Sequence, residues 1–186
     1  MKKYKYFIPV LFLLITGIQA WATNDWFTIL ANRGNFSFRL PSLDYFKKDT
    51  LRSLMYMTSS SDSAIGIQIH YIDSVDLSGN TELQQYISNN SESENPVLDA
   101  FAKMTLFLTQ GELTSYQHIS AGSNGTIPGI EIGVRQTAED STVTFSFLRI
   151  YYYNKKCYTF CILSDQSKLS DLLAYREQFF NSVVIN

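Results

Sequence analysis

The sequence predicts an α+β fold, a mostly antiparallel β-sheet covered by helices. Three observations carry this. Thr142 to Leu163 reads as two long strands around a tight turn at Asn154-Lys155, dominated by Val, Ile, Phe, Tyr and Thr, residue types that suit a pleated, buried surface. Helical signals cluster in two places, between Thr81 and Gly111 and again after Ser164. The resulting order is strands, two helices, strands, one helix.

Within the hairpin, pairing Tyr153 with Lys156 sets Tyr151 opposite Tyr158, Arg149 opposite Phe160 and Phe147 opposite Ile162. The other face carries Tyr152, Ile150 and Leu148 against Cys157, Thr159 and Cys161. Both faces are largely apolar, so the hairpin is expected inside a sheet covered on both sides.

The chain has 186 residues, and its first 22 read as a leader. Lys2, Lys3 and Lys5 form a basic start, Phe7 to Ile18 an apolar run, and Ala20-Trp21-Ala22 an A-x-A cleavage site. An uncleaved anchor is the alternative, but the run is short against the ~20 residues of a spanning helix. No cysteine follows the run, which argues against a lipoprotein. The expectation is a signal peptide over 1–22 and one exported domain over 23–186, periplasmic or secreted, with no membrane attachment after cleavage.

That length suits a single core. Removing the three leader lysines from 15 basic residues leaves 12 against 17 acidic ones, a net charge near −5. An acidic domain without a basic cluster argues against nucleic acid and anionic membrane as partners. Cys157 and Cys161 lie on one predicted strand, about 13 Å apart at ~3.3 Å per residue. A disulfide needs Cα atoms roughly 4.4–6.8 Å apart, so both read as small buried hydrophobes. No His or Cys lies near enough in sequence to suggest a metal site.

Along the chain, Trp26 to Leu30 is a short strand or a lead-in, and Phe36 to Leu40 alternates up to Pro41. Leu51 to Thr58 alternates weakly, with Leu51, Ser53, Met55 and Met57 on one face. Ile65, Ile67, Ile69 and Tyr71 form a strong period-2 stripe opposite Gln68 and His70. Thr81-Glu82-Leu83-Gln84 matches a capping box, with Leu83, Tyr86 and Ile87 buried, and Ser88 to Asn95 reads as a loop. Asn95-Pro96 opens a second helix with Asp99 in its first turn, Phe101, Met104 and Leu108 inward, and Gly111 closing it. Strands follow at Leu113 to Ile119 and Gly129 to Gln136, and a four-residue turn from Ala138 leads into the hairpin. Ser164 or Asp165 caps a last helix with Leu169, Leu172, Leu173, Phe179 and Phe180 inward, and Val183 to Ile185 closes the chain as an edge strand or tail.

Several short patterns share an order with a known architecture: Phe36-Ser37-Phe38-Arg39-Leu40-Pro41, then Ile127-Pro128-Gly129-Ile130-Glu131-Ile132, Arg149-Ile150-Tyr151, Tyr158-Thr159-Phe160 and Phe179-Phe180-Asn181-Ser182. Nearly all of residues 23–186 thereby resembles the PsbP/Mog1-type α/β/α sandwich, which includes exported bacterial proteins of the DcrB-like kind. The resemblance implies a non-catalytic adaptor, as photosystem subunits and small-GTPase regulators of this fold are. Ser182-Val183-Val184 departs from the aromatic that commonly follows Asn-Ser. No site residue transfers.

Candidate chemistry is sparse. His70 and His118 lie outside any nucleophile-elbow context, and no G-x-S-x-G occurs. Gly122 to Gly125 lacks the G-K-[ST] of a phosphate cradle and reads as a turn. Glu131, Arg135 and Arg149 are the charges of most interest. If Thr137 pairs with Thr142, Glu131 and Arg149 point to opposite faces, and a one-residue shift brings them together. Arg149 shares its face with Phe147, Tyr151 and Phe160, where it can stack on a ring. The two readings are a polar notch beside Gly133 that binds a ligand or peptide, and a satisfied charge in an apolar sheet.

Asp49-Thr50-Leu51, Asp62-Ser63-Ala64, Asp73-Ser74-Val75 and Asp140-Ser141-Thr142 share the form Asp-[Ser/Thr]-small or apolar. This looks like the O-glycosylation tripeptide of exported Bacteroidetes proteins, with Thr50, Ser63, Ser74 and Ser141 as acceptors. Ordinary turn chemistry gives the same pattern. The N-x-[ST] sequons at Asn35, Asn89 and Asn124 matter only in a eukaryotic secretory pathway. The functional expectation is an exported, non-catalytic binding or assembly module for a protein partner, with no cofactor. A small-molecule or lipid carrier with a pocket between sheet and helix is the alternative, and a hydrolase comes third.

Overall fold

The computed structural model describes residues 26–60, 64–75, 77, 81–90 and 92–186. The leader over 1–22 and the acceptor Ser63 lie outside the described residues.

The described strands form two antiparallel sheets. A three-stranded sheet runs in the order β1-β2-β10, from β1 (Phe27–Ala31), β2 (Phe36–Leu40) and β10 (Val184–Ile185). A seven-stranded sheet runs β3-β4-β5-β9-β8-β7-β6. Its strands are β3 (Phe46–Asp49), β4 (Ser53–Ser59), β5 (Ile65–Ile72), β6 (Glu112–Ala121), β7 (Ile127–Thr137), β8 (Val143–Tyr153) and β9 (Lys156–Asp165). The helices are α1 (Thr81–Asn89), α2 (Pro96–Thr109) and α3 (Leu169–Asn181).

The β8–β9 hairpin sits near the middle of the large sheet with the expected register, Tyr153 against Lys156 and Arg149 against Phe160. Its two-residue turn holds Asn154 and Lys155 at φ 49° and 61°, the left-handed pair that matches strand twist. On one face Tyr71, Phe147, Tyr151, Tyr158, Phe160 and Ile162 pack against Phe36 and Phe38 of the small sheet and Leu172, Phe179 and Phe180 of α3. On the other, Ile130, Ile132, Val134, Ile150 and Cys157 pack under Leu98, Phe101 and Ala102 of α2. Cover on this second face is partial. Thr159, Cys161 and Leu163 are half-buried, and Gln68 and His70 are exposed.

Several expectations are corrected. β7 and β8 pair Thr137 with Val143 rather than Thr142. Asp140 accepts from the Thr142 N–H at 2.9 Å and Ser141 turns through φ 68°, which lengthens the connection by one residue. On β4 the buried residues are Leu54 and Tyr56, while Leu51 is 90% exposed. Tyr56 wins the inward face because its ring meets Phe38 at 5.1 Å. β3 gave no sequence signal, since all four of its residues are exposed. α1 runs on to Asn89, into the segment expected as a loop.

α2 is capped as expected, the Asn95 side chain accepting from the Leu98 N–H at 3.2 Å. Its buried stripe differs. Leu98, Ala100, Phe101 and Ala102 are inward while Met104 and Leu108 face out, because small Ala102 lets the helix seat closely on β7 and β8. The left-handed residue at its end is Gln110, φ 50°; Gly111 follows it, and its N–H reaches Leu106 O. At α3, Asp165 accepts from the Ser167 N–H at 2.8 Å, and Leu173 lies outward.

Candidate functional site

The longer β7–β8 connection has one decisive effect. It places Glu131 directly opposite Arg149 on the face covered by the small sheet and α3. Glu131 is 2% exposed. Arg149 Nε donates to Glu131 Oε2 at 2.5 Å, and Arg149 Nη1 donates to Phe180 O at 3.2 Å. Arg176, reaching down from α3, donates through Nη2 to Glu131 Oε1. One carboxylate thus holds two guanidiniums, one from the sheet and one from the helix.

Aromatic rings frame this cluster. The Arg149 guanidinium lies 4.6 Å over Phe180 and that of Arg176 4.6 Å over Phe147, geometry that adds cation–π attraction. On β7, Gly129 and Gly133 flank Glu131 and pair with Tyr151 and Phe147. The rings lie over the glycines: a Cβ at Gly129 would strike the Tyr151 ring, and one at Gly133 would meet Ser115 Oγ and Thr114 Oγ1. The notch beside Gly133 is therefore filled by side chains from β6 and β8. Arg176 Nε is buried without a hydrogen-bond partner among the described residues.

Of the three charges singled out from sequence, the structure joins Glu131 and Arg149 and leaves Arg135 apart. Arg135 pairs at the surface with Glu112 at 3.2 Å. Arg176 escaped the sequence reading. Its signal was available: a cation one turn after Leu172 and one turn before Phe180, on the buried stripe of α3.

Chemically, both oxygens of Glu131 already accept charge-assisted bonds and the group is shielded from water. A general base must reach its substrate, and Glu131 at 2% exposure is enclosed. The arrangement instead cross-links α3 to the sheet. The thiols are equally quiet. Burial pushes Cys157 up to about 11, against a small opposing effect of the Thr159 hydroxyl, and Cys161 up to about 12. Both cysteines are free. His70 stands on an exposed strand position where desolvation lowers its pKa, and His118 packs edge-on to Tyr116 at 5.4 Å. The described residues contain no group of three or more His, Cys, Asp or Glu side chains able to hold a metal.

Of the serine and threonine acceptors, Thr50 Oγ1 lies 2.8 Å from Ser53 Oγ. Ser74 and Ser141 are exposed with left-handed backbone, φ 57° and 68°.

A groove of about 220 Å³ runs between α1 and α2, lined by Glu82, Leu83, Tyr86, Lys103, Met104 and Phe107. It lies between two helices, not between sheet and helix as the carrier reading required. Beside it Phe107 and Leu108 are 81% and 71% exposed.

A large antiparallel sheet with helices and a small sheet on its faces is the PsbP/Mog1-like sandwich, and comparison with solved structures supports it. Cyanobacterial PsbP (CyanoP) from Synechocystis sp. PCC 6803 superimposes with a TM-score of 0.58 at 10% identity, over 87% of this chain and 92% of that one. A Pseudomonas aeruginosa protein of unknown function, PA94, is similar over 82% of this chain and 92% of its own, at TM-score 0.44 and 9% identity. At 10% identity the likeness to CyanoP establishes the fold alone. No protein-family model and no curated protein matches the sequence.

Proposed function

We propose that the protein is an exported, non-catalytic binding or assembly module that engages a protein partner. The observation that carries this reading is the apolar ridge of α2. Phe107, Leu108 and Met104 are 81%, 71% and 36% exposed, beside the groove that Leu83 and Tyr86 help to line. Large apolar side chains gathered on one outer helix face are stabilised when a partner covers them. The inward-turned, fully paired Glu131 and the two high-pKa thiols fit a scaffold rather than a reaction centre.

A carrier fits less well. Small-molecule sites commonly enclose ~300–1,000 Å³, more than the α1–α2 groove holds. Export rests on the basic, apolar and A-x-A segments of the first 22 residues, and none of the described helices is long and apolar enough to cross a membrane.

The test is retention of partners from extract of the producing cells on the immobilised protein, compared with a Phe107→Asp/Leu108→Lys variant. A partner retained by the native surface and lost by the variant is the expected result. Identical retention by both, or none by either, would overturn the proposal.

A further inference from the structure

The two edges of the large sheet differ in how they are protected. β3 presents Lys47, Lys48 and Asp49, charges of the kind that deter strand addition. β6 has no such guard. From Leu113 to Ala121 it carries neither a charged side chain nor a proline, and every residue from Glu112 to His118 is exposed. A bulge between Leu113 and Ser115 disturbs one end. From Ser115 to Ala121 the register against Gly133 to Ile127 is unbroken, which leaves a regular ladder with its outer backbone groups unpaired.

We propose that β6 pairs antiparallel with β6 of a second copy of this chain, about a twofold axis at Gln117, joining two sheets into one. Residues directly opposite in an antiparallel pair share a face, and this axis satisfies that condition. It sets Tyr116 of each copy against His118 of the other, on the α2 side. Tyr116 and His118 already meet edge-to-face within one chain at 5.4 Å, so pairing builds a four-ring cluster from an existing contact. On the other side Ser115 meets Ile119, and the two Gln117 amides face each other, each able to donate and accept.

Charge favours the same occupant. Without residues 1–22 the chain has 12 basic against 17 acidic residues, a net charge near −5, so a second copy meets least repulsion at a segment free of charge. The Leu113 to Ala121 segment carries no charge of its own, Glu112 beyond the bulge pairs with Arg135 at 3.2 Å, and the Asp99 carboxylate on α2 is engaged by the Tyr116 hydroxyl. A C2 contact of this kind closes on itself and leaves no further β6 edge to propagate.

Sedimentation across a concentration series, with hydrogen exchange on the same samples, decides the matter. The expected result is a species of twice the chain mass that dissociates on dilution, with amide protection of Ser115 to Ala121 rising in step. Gln117→Lys puts two like charges on the axis and is expected to abolish the heavier species while the far-UV circular dichroism stays native. If that variant folds poorly, His118→Lys takes its place, and the exchange of the native protein is read regardless. A single-chain mass at every concentration, a dimer that survives the lysine substitution, or exchange at Ser115 to Ala121 that ignores concentration would each overturn the proposal. Phe107→Asp/Leu108→Lys lies on α2 and is expected to leave the dimer intact, which separates this inference from the partner surface proposed above.

Discussion

Glu131 and Arg149 face each other across β7 and β8 with 2.5 Å between Oε2 and Nε, and the second oxygen of the same carboxylate takes Arg176 from α3. Removing one partner of a buried pair costs ~3–5 kcal/mol when the remaining charge is fully enclosed. The arginine side chains here keep 23% and 30% of their exposure, so Glu131→Ala is expected to cost about 2–3 kcal/mol. Urea unfolding measures it, and a loss below about 0.5 kcal/mol, the level of ordinary surface substitutions, would contradict the assignment. A double-mutant cycle of Glu131→Gln with Arg176→Met is expected to show about 1–2 kcal/mol of coupling.

The glycines beside this cluster are predicted to be unequal to others in the sheet. At Gly129 a methyl group meets the Tyr151 ring and, at 2.9 Å, the backbone of Ile150; at Gly66 it meets Leu163 at 3.4 Å. Gly129→Ala is expected to cost about 1–3 kcal/mol by overpacking. Gly66→Ala is expected to be near neutral. Thermal melts of the two variants side by side give the ordering, and equal effects would refute the role given to the Tyr151 ring.

Alkaline stability follows from three acids, two buried and the half-buried Cys161, whose ionised forms are poorly solvated. Cys157 and Cys161 are raised from 9.0 to about 11 and about 12, and Tyr158 from 10.0 to about 12, in each case mainly by burial. Above the unfolded values the unfolded chain has released these protons while the native state still holds them. Stability therefore falls as pH rises from about 9 towards 12, at up to about 1.4 kcal/mol per pH unit for each group. Unfolding midpoints measured from pH 8 upward check the sign. A midpoint that climbs through this window would contradict it. Thiol alkylation at neutral pH is expected to be slow in the native protein and fast in urea.

Processing has its own readout. Intact-mass analysis of protein recovered from the producing cells is expected to show a chain beginning at Thr23. Mass additions on peptides containing Thr50, Ser63, Ser74 or Ser141 would support O-glycosylation at those residues. Unmodified peptides at all four would leave only turn chemistry.

The sequence was most informative where local geometry admits one solution. A two-residue turn fixes the β8–β9 register, and Ile65 to Tyr71 alternates without interruption. The β7–β8 register was harder to read, because connections differing by one residue are locally alike while their consequences for Glu131 are opposite. What decides is a side chain–backbone bond, Asp140 to the Thr142 N–H. Hydrophobicity alone misplaced Met104 and Leu108, since the seating of α2 depends on how closely Ala102 lets it approach. Arg149 and Glu131 stood out because charge is rare in such strands. Their third member lies on a helix 45 residues beyond Glu131, and only its place between Leu172 and Phe180 on the buried stripe of α3 sets it apart from a surface cation.

The Glu131–Arg149–Arg176 cluster also acts as proofreading for strand alignment. Slipping β7 by one residue against β8 turns Glu131 to the other face of the sheet, under Leu98 and Phe101 and away from Arg149 and Arg176. The same slip leaves two guanidiniums stacked on rings with their shared counter-charge gone. Apolar stripes tolerate a two-residue slip, which keeps each on its own face, more readily, since one buried isoleucine can then replace another. A lone carboxylate cannot be substituted in that way, so three charged side chains select the one register that the long loop after Thr137 permits.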